Sequence, residues 1–395
     1  MGGALLHSRP NHYGVYVTLW FVVPALGICV IGGLLDLILS SRDLGGIPST
    51  IYLPLAFVIG LAGSAFAYFR IRPELRARNS VEKVIHWTLV GASMVSIVIT
   101  FGIIASILFE SIAFFSGDPK TDRAPVSIWE FLTGSKWYPS GSPPKFGALP
   151  LFAGTFMITL IAMIVAVPIG LFAAIFMAEY MPKGLRKWVK PILEILAGIP
   201  TVVYGFFAVV TVAPMVVEFS EWMTNDVLTP GTWLAGIFSA ATHENALTCG
   251  LVMGIMVIPL ISSLSDDVIN SVPQSLREGS LALGTTRAET IRKVVLPAAL
   301  PGIASAVLLA ISRALGETMI VYMAAGLSPN LSANPLEGMT TVTVRMVSAI
   351  TGDQGFDSAE PLSAFALGLV LFIVTFILNI GATIIVRRFR QRYEL

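Results

Sequence analysis

Two residues of opposite charge, Arg313 and Glu317, stand four positions apart in the apolar stretch 301–325. Residues at this spacing share one face of an α-helix, so the carboxylate is expected to neutralise the guanidinium. Arg313 is expected near the bilayer midplane, where an unpaired charge costs at least about 2.5–3.5 kcal/mol. Two interpretations stay open: Arg313 contacts an anion that crosses the membrane, or the pair only fixes the register of the helix.

The chemistry of arginine favours the first interpretation. A guanidinium group presents a planar fork of donors that matches an oxyanion such as phosphate. A nearby carboxylate, here that of Glu317, can hold the arginine when no anion is bound. Arg345 is a second candidate anion contact, but it lies in a segment predicted to be outside the membrane and is expected to stay solvated.

The chain contains no pattern typical of an enzyme. A Gly-Lys dipeptide is absent from the sequence, so the phosphate-binding loop of a nucleotide hydrolase is absent too. The four histidines are scattered, and none belongs to a His-Glu-x-x-His motif: they are His7, His12, His86 and His243. We therefore predict no catalytic residue and no metal site, and if ATP drives this protein, another subunit hydrolyses it.

The elements that position these residues are membrane helices. Of 395 residues, 55% are hydrophobic and only 12% are charged, which a water-soluble fold could not accommodate. Two cysteines, Cys29 and Cys249, lie in or beside apolar runs and are predicted to be buried, inert thiols. Stretches long enough to cross about 30 Å of hydrocarbon number eight. They are residues 15–39, 51–69, 84–115, 151–178, 191–219, 247–264, 301–325 and 362–386.

The distribution of Lys and Arg predicts the orientation. With both termini in the cytoplasm, 18 of the 25 basic residues fall in cytoplasmic segments and 6 in external ones, with Arg313 inside a span. This excess agrees with the positive-inside rule. The segments 116–150 and 326–361 are then external, and 265–300 is the longest cytoplasmic loop.

Several segments have a composition of their own. The charged linker 70–83 separates the first two helices from the other six, which predicts an accessory unit, 1–83, and a core, 84–395. External segment 116–150 is expected to be ordered at the membrane surface by an aromatic cluster, namely Trp129, Phe131, Trp137 and Tyr138. The run Met339–Ile350 is predicted to be a surface or re-entrant helix, and the sequence does not decide between these.

Proline and glycine mark one candidate hinge. Gly198 and Pro200 flank Ile199 near the start of the fifth predicted span, where Pro removes a backbone hydrogen bond. The other prolines within spans are expected to serve packing; they are Pro168, Pro214 and Pro259.

The cytoplasmic loop 265–300 contains the signals of two short helices. Pro273 can begin the first helix and Gly284 can end it. Thr286 and Glu289 have the spacing of a capping box for the second. That helix is predicted to end at Pro297 and Pro301, before the next span. A patch of small residues around Gly279 and Ser280, beside Glu278, would let the backbone of another protein approach closely.

This loop resembles a known motif. Glu278-Gly279-Ser280, Gly284 and Val294-Val295-Leu296-Pro297 are similar to the Glu-Ala-Ala motif, with its downstream Gly and Ile-x-Leu-Pro, of permease subunits of bacterial ABC importers. The resemblance implies that this loop docks in a cleft of an ATPase subunit. Six residues would then carry the coupling to the ATPase: Glu278, Gly279, Ser280, Gly284, Leu296 and Pro297.

Within the ABC importers, the chain resembles the PstC-type phosphate permeases. The resemblance covers residues 84–395 and depends on three runs: Ser127–Leu132 with Lys136–Pro139, Leu196–Phe207, and Arg313–Met319. It implies an all-α polytopic fold with a type I six-helix permease core, here preceded by two extra helices, in the bacterial inner membrane. The implied partners are a homologous PstA-type permease, two PstB-type ATPases that bind ATP and Mg, and a periplasmic PstS-type phosphate-binding protein. This chain itself would bind no cofactor.

Two other functions remain as alternatives. An ABC permease for sulfate or molybdate would show the same loop and the same helices. A proton-coupled secondary transporter could use Glu317 and Arg313 as a relay, but it would have no ATPase to receive the loop 265–300.

Overall fold

The computed structural model describes residues 9–40, 48–72, 75–117, 124–352, 355 and 358–393. Some sequence predictions concern residues outside this range: the two chain termini, Arg42, Pro73 and Glu74 of the charged linker, and Lys120 and Arg123 of the first external segment. The described residues form sixteen α-helices and one small antiparallel sheet.

In the part of the chain that the structure describes, eight helices are long and apolar enough to cross a membrane, which confirms the predicted number of spans. Each overlaps one of the predicted stretches. They are Pro10–Gly33, Ser49–Phe69, Ala77–Ser116, Leu149–Tyr180, Thr201–Val227, Ala246–Ser271, Arg287–Leu315 and Ala359–Ile384.

The first half of the chain contains the following elements, in chain order: α1 Pro10–Ser40, α2 Ser49–Phe69, α3 Ala77–Ser116, α4 Ile128–Thr133, β1 Trp137–Tyr138, β2 Lys145–Phe146, α5 Leu149–Ile175, α6 Lys183–Ala197, α7 Thr201–Phe207, α8 Ala213–Trp222 and α9 Trp233–Ser239. The second half contains α10 Ala246–Ser271, α11 Gln274–Ala282, α12 Arg287–Thr290, α13 Leu296–Leu315, α14 Met319–Ala324, α15 Val342–Thr351 and α16 Ala359–Tyr393. Four π-helical turns continue these helices, at Phe176–Tyr180, Ala208–Val212, Met223–Val227 and Ile291–Val295.

The chain divides into two compact units, residues 1–104 and 105–395. In the first unit α1 packs closely on α2, because a Cβ atom at Gly63 would lie only 2.2 Å from the carbonyl oxygen of Trp20. Tyr13 ties α1 to the linker by donating a hydrogen bond of 2.9 Å to the carbonyl oxygen of Leu75. The linker is shorter than predicted, since α3 already begins at Ala77. Cys29 in this unit is only half-buried, contrary to expectation.

In the second unit α5 and α10 form the centre of the core. Their backbones approach closely, since a Cβ at Gly254 of α10 would lie 3.0 Å from the carbonyl oxygen of Ala162 in α5. Cys249 is buried in this core, as predicted. The other large side chains that are fully buried there belong to Ile158, Val252, Met253, Val257, Ile261, Ile320 and Met339.

Residues 124–150 are ordered around aromatic side chains, and two of the four predicted ones belong to this cluster. Phe131 and Trp137 are buried and make edge-to-face contacts with each other. They share their cluster with Phe114 and Phe146, which the sequence analysis did not identify. Trp129 and Tyr138 are exposed instead, with 75% and 62% of their surface accessible.

The run Met339–Ile350 packs into the core of the second unit. Met339 is fully buried, and α15 follows from Val342 to Thr351. The backbone amide of Val342 donates to the hydroxyl of Thr155 in α5 at 3.1 Å. The start of the segment is therefore anchored in the helical core, whereas Val347 and Ile350 near its end are exposed.

Close packing at Gly154 of α5 gives a test of this arrangement. A Cβ atom there would lie 2.3 Å from the carbonyl oxygen of Thr340, whereas a Cβ at Gly381 of α16 meets no heavy atom within 4 Å. Gly154→Ala should destabilise the protein by about 1–3 kcal/mol through overpacking. Gly381→Ala should be neutral or stabilise it by up to about 1 kcal/mol, because alanine favours helix. In detergent, the unfolding temperature of purified Gly154→Ala should fall, whereas that of Gly381→Ala should stay the same or rise. Equal shifts in the two variants would contradict the packing.

Candidate functional site

Arg313 lies in the last turn of α13, because this helix ends at Leu315. The seventh span was predicted to continue to residue 325 with Arg313 at its centre, and that prediction was wrong. A cation in the last turn is stabilised by the negative end of the helix dipole. The side chain is exposed, and no hydrogen bond or ion pair joins it to any other residue that the structure describes.

Glu317 follows the break and caps the next helix. Its side chain is 9% exposed, and its Oε1 accepts hydrogen bonds from the backbone amides of Met319 at 3.2 Å and Ile320 at 3.4 Å. These amides are the first of α14 and have no partner within their own helix. The predicted ion pair with Arg313 is wrong, since the helix is interrupted between the two residues and the carboxylate binds backbone donors instead.

Two neighbouring elements hold this break in place. The hydroxyl of Thr343 in α15 donates to the carbonyl oxygen of Glu317 at 2.8 Å. Gly205 brings α7 against α14, because a Cβ at Gly205 would lie 2.8 Å from the sulfur of Met323 and 3.4 Å from the Cα of Ile320. The break therefore lies between α7 and α15, in the core of the second unit.

Arg345 is half-buried, which contradicts the expectation that it stays solvated. Its guanidinium donates a hydrogen bond to the carbonyl oxygen of Leu327. The Nε atom is buried and has no hydrogen-bond partner among the described residues. Arg345 thus joins α15 to the segment that follows α14.

Gly198 and Pro200 mark a second helix break, at the hinge predicted from the sequence. Gly198 is the C-cap of α6 and Pro200 the N-cap of α7, so the fifth predicted span is two helices. Tyr204 bridges the break by donating a hydrogen bond of 3.1 Å to the carbonyl oxygen of Leu196. This bond was not predicted, because the spacing of Tyr204 and Leu196 in the sequence does not indicate it.

The loop 265–300 contains the first predicted short helix, α11, and the predicted start of the second, α12. Pro273 is the N-cap of α11, and Gly284 follows this helix with a φ of +83°, a conformation that glycine adopts without strain. Thr286 and Glu289 form the capping box of α12. The second helix does not end at Pro297: it continues through the π-helical turn Ile291–Val295 into α13.

Of the residues predicted to couple the chain to an ATPase, some are exposed and others are partly buried. Glu278 and Gly279 are exposed, and no heavy atom lies within 4 Å of a Cβ built at Gly279. Ser280 points inward, where its hydroxyl bonds those of Thr285 at 2.8 Å and Thr290 at 3.1 Å. Leu296 and Pro297 are half-buried at the start of α13.

One apolar side chain of the loop stands out beside this group. Leu283 is 87% exposed, directly before the Gly284 turn. Leu276 and Leu281 of α11 are exposed as well, so this part of the loop presents three leucines at its surface.

A cluster of charges that the sequence analysis missed fastens α6 to α10. Asp266 has a fully buried side chain, and both of its oxygens accept from Nη2 of Arg186, at 2.7 and 3.0 Å. Lys190 lies 3.5 Å from the same carboxylate and also pairs with Asp267. The hydrogen bond to Asp267 raises the pKa of the Lys190 amine above its ordinary value. The adjacent acidic pair at the end of a span was the only sequence signal for this cluster.

Family comparisons cover most of the chain. Residues 166–391 match the family described as binding-protein-dependent transport system inner membrane component. Residues 2–52 match a family described as phosphate ATP-binding cassette transporter. The second match includes all of α1 and the start of α2, so this part of the N-terminal unit has a family relationship of its own.

Three relatives share about a third of their residues with this chain. The probable ABC transporter permease protein YqgH of Bacillus subtilis is 38% identical over 252 residues, covering 64% of this chain and 75% of the relative. The phosphate transport system permease protein PstC of Mesorhizobium japonicum is 34% identical, covering 63% and 76%. PstC 1 of Mycobacterium tuberculosis is 35% identical over 277 residues, covering 65% and 81%.

A solved structure shares the fold. It is the bacterial alginate ABC transporter in complex with an alginate pentasaccharide-bound periplasmic protein, with a TM-score of 0.50 at 16% identity, covering 78% of this chain and 97% of the other. At this identity the likeness concerns the fold alone. On the family match and the relatives together, the chain belongs to the inner-membrane components of binding-protein-dependent transport systems.

Proposed function

We propose that this chain is a permease subunit that imports inorganic phosphate by ATP-driven, binding-protein-dependent transport. The observation that carries the proposal is the identity of 34–35% with PstC phosphate permeases over about two thirds of the chain. The match of residues 2–52 to a phosphate transporter family supports the same substrate independently. Sulfate and molybdate permeases remain the alternative within this family.

The proposed complex has the composition of an ABC importer. A second, PstA-type permease would complete the pathway, two PstB-type ATPases would bind ATP and Mg, and a periplasmic PstS-type protein would deliver phosphate. The chain would lie in the bacterial inner membrane with both termini in the cytoplasm. Residues 1–83 would form an accessory unit and residues 84–395 the permease domain, with the compact units of the structure dividing further along α3.

Arg313 is the proposed contact for the anion. It is an exposed cation at the end of α13, beside a helix break, and its guanidinium has no carboxylate partner among the described residues. An unpaired guanidinium keeps all its donors for an oxyanion. The role of Glu317 differs from the sequence prediction. Its carboxylate does not pair with Arg313 but binds the first backbone amides of α14.

The anion contact is tested by substitutions at Arg313. Arg313→Gln should reduce phosphate uptake by at least about tenfold while the complex still assembles, because no buried partner is left unpaired. Arg313→Lys should restore little, since an ammonium lacks the forked geometry. Lys145→Gln, at an exposed cation of β2, is the matched control and should transport normally. Uptake of radiolabelled phosphate, with sulfate and molybdate as competitors, is the measurement.

The double variant Arg313→Gln/Glu317→Gln tests the anion contact with both charges removed. The amide oxygen of the glutamine introduced in place of Glu317 can still accept the backbone bonds of α14, so this variant should assemble and remain inactive. Near-normal uptake in the double variant would disprove the anion contact.

Coupling to the ATPase is tested at Gly279. Gly279→Trp should block close approach of the ATPase, because the open space at this position would be filled. We expect ATP hydrolysis to be separated from uptake, or the ATPase to be lost from the complex, with unchanged thermal stability of the isolated chain. If a Gly279→Trp complex assembles and transports normally, the loop only connects two helices and does not couple the chain to the ATPase.

The orientation is tested by cysteine labelling in a background without Cys29 and Cys249. A cysteine at Ala288, exposed in α12, should react only after the membrane is opened, while one at Trp129 should react in intact spheroplasts. The opposite pattern would overturn the proposed topology.

A further inference from the structure

Both halves of the cytoplasmic loop are attached to one short segment at the end of the fourth span. Nε of Arg277 in α11 donates to Oε1 of Glu179 at 3.1 Å. Arg287 in α12 donates to the backbone carbonyl oxygen of the same residue, and its guanidinium lies 5.2 Å from the centre of the Tyr180 ring. Glu179 thus accepts a hydrogen bond from α11 at its carboxylate and one from α12 at its backbone carbonyl oxygen.

Arg277 also fastens α10 to this point. Its Nη1 donates to the carbonyl oxygen of Val272 and its Nη2 to that of Ile269, each at 2.7 Å. These carbonyls lie at the end of α10, where that of Ile269 also accepts the backbone amide of Val272 at 3.3 Å. A single guanidinium therefore joins α11, the end of α10 and the end of the fourth span.

The ion pair between Arg277 and Glu179 is shielded from solvent. The side chains are only 13% and 9% exposed. A cavity of about 550 Å³ adjoins them, bounded also by Asn270, Gln274 and Arg287. The contacts of Arg277 and Arg287 with Glu179 therefore attach both helices of the loop to the end of the fourth span.

The loop itself is tied together by hydroxyl groups. Ser280, Thr285 and Thr290 form a triangle of hydrogen bonds, with oxygen separations of 2.8, 2.9 and 3.1 Å. The triangle closes across the Gly284 turn, so α11 and α12 are linked to each other as well as to Glu179. A force on either helix is transmitted to the other.

From the attachment point, a continuous path leads to the proposed anion contact. Glu179 ends the span that begins with α5, and Thr155 in α5 accepts the amide of Val342 at 3.1 Å. The next residue, Thr343, donates to the carbonyl oxygen of Glu317 at 2.8 Å. A displacement of α5 therefore acts through α15 on the helix break beside Arg313.

We propose that Glu179 is the positioning residue that transmits movement of the ATPase-docked loop to the fourth span. The inference rests on the proposed function, because it presupposes an ATPase on the loop. The ion pair with Arg277 makes the loop and the end of the span move as one body. Without it, the ATPase would still bind and hydrolyse ATP, and less of its movement would reach α5.

The test uses the complete complex in proteoliposomes, with uptake and ATP hydrolysis measured together. Glu179→Gln preserves the shape of the side chain and removes its charge, so phosphate moved per ATP should fall about 2- to 30-fold. Glu179→Asp keeps the charge and should recover part of the loss. Glu82→Gln, which breaks an exposed ion pair with Arg78 in α3, is the matched control and should leave the ratio unchanged.

Assembly is measured in parallel by size-exclusion chromatography, which separates this role from a merely structural one. If Glu179→Gln forms fewer complexes but these move a normal amount of phosphate per ATP, the role of Glu179 is only structural and the inference is overturned. A Glu179→Gln complex that behaves like the wild type would also overturn it. If Glu179→Gln does not assemble, Arg277→Lys replaces it: this variant keeps the charge, cannot bind all three acceptors, and should also lower the ratio. A wild-type complex without ATP-driven phosphate uptake would overturn the proposed function itself, whereas a working wild type with unaffected variants overturns this inference alone.

Discussion

Inside a bilayer, a backbone amide or carbonyl group finds no water, and this constraint decides how a membrane helix can be interrupted. At two helix breaks in the second unit, nearby side chains form hydrogen bonds with the free backbone groups. The carboxylate of Glu317 accepts the first amides of α14, and the hydroxyl of Tyr204 donates to a carbonyl at the end of α6. The two breaks are neighbours in space, because Gly205 places α7 directly against α14.

This requirement also explains the placement of charge at the break between α13 and α14. Arg313 is at the C-terminal end of one helix and Glu317 is at the N-terminal end of the next. Each charge therefore lies at the helix end whose dipole stabilises it, and neither depends on the other for its stability. An ion pair would have consumed the donors of Arg313, whereas this arrangement leaves them exposed beside a break in the core.

Much of the fold was predictable because its signals are local. Eight long apolar runs predict eight spans, and the spacing of Thr286 and Glu289 predicts the capping box that the structure shows. The break at residue 316 was missed because Gly316 and Thr318 are tolerated within apolar helices, and only the competition of the Glu317 carboxylate for backbone amides reveals it. The contacts of Glu179 and Asp266 could not be predicted from the sequence for another reason. Their partners, Arg277 and Arg186, are 98 and 80 positions away, and no local sequence pattern indicates contacts over that separation.

The unbroken helix from Arg287 to Leu315 has a mechanical consequence. Its 29 residues include both the capped start of α12 in the loop and the turn that holds Arg313. The two arginines are 26 residues apart along this rod, or about 40 Å at 1.5 Å per residue. Rotation about one end is magnified by such a length, so a tilt of about 5° at the loop displaces the other end by roughly 3–4 Å. A shift of that size equals the span of a hydrogen bond, so a small rocking of the rod is enough to make or break a contact at Arg313.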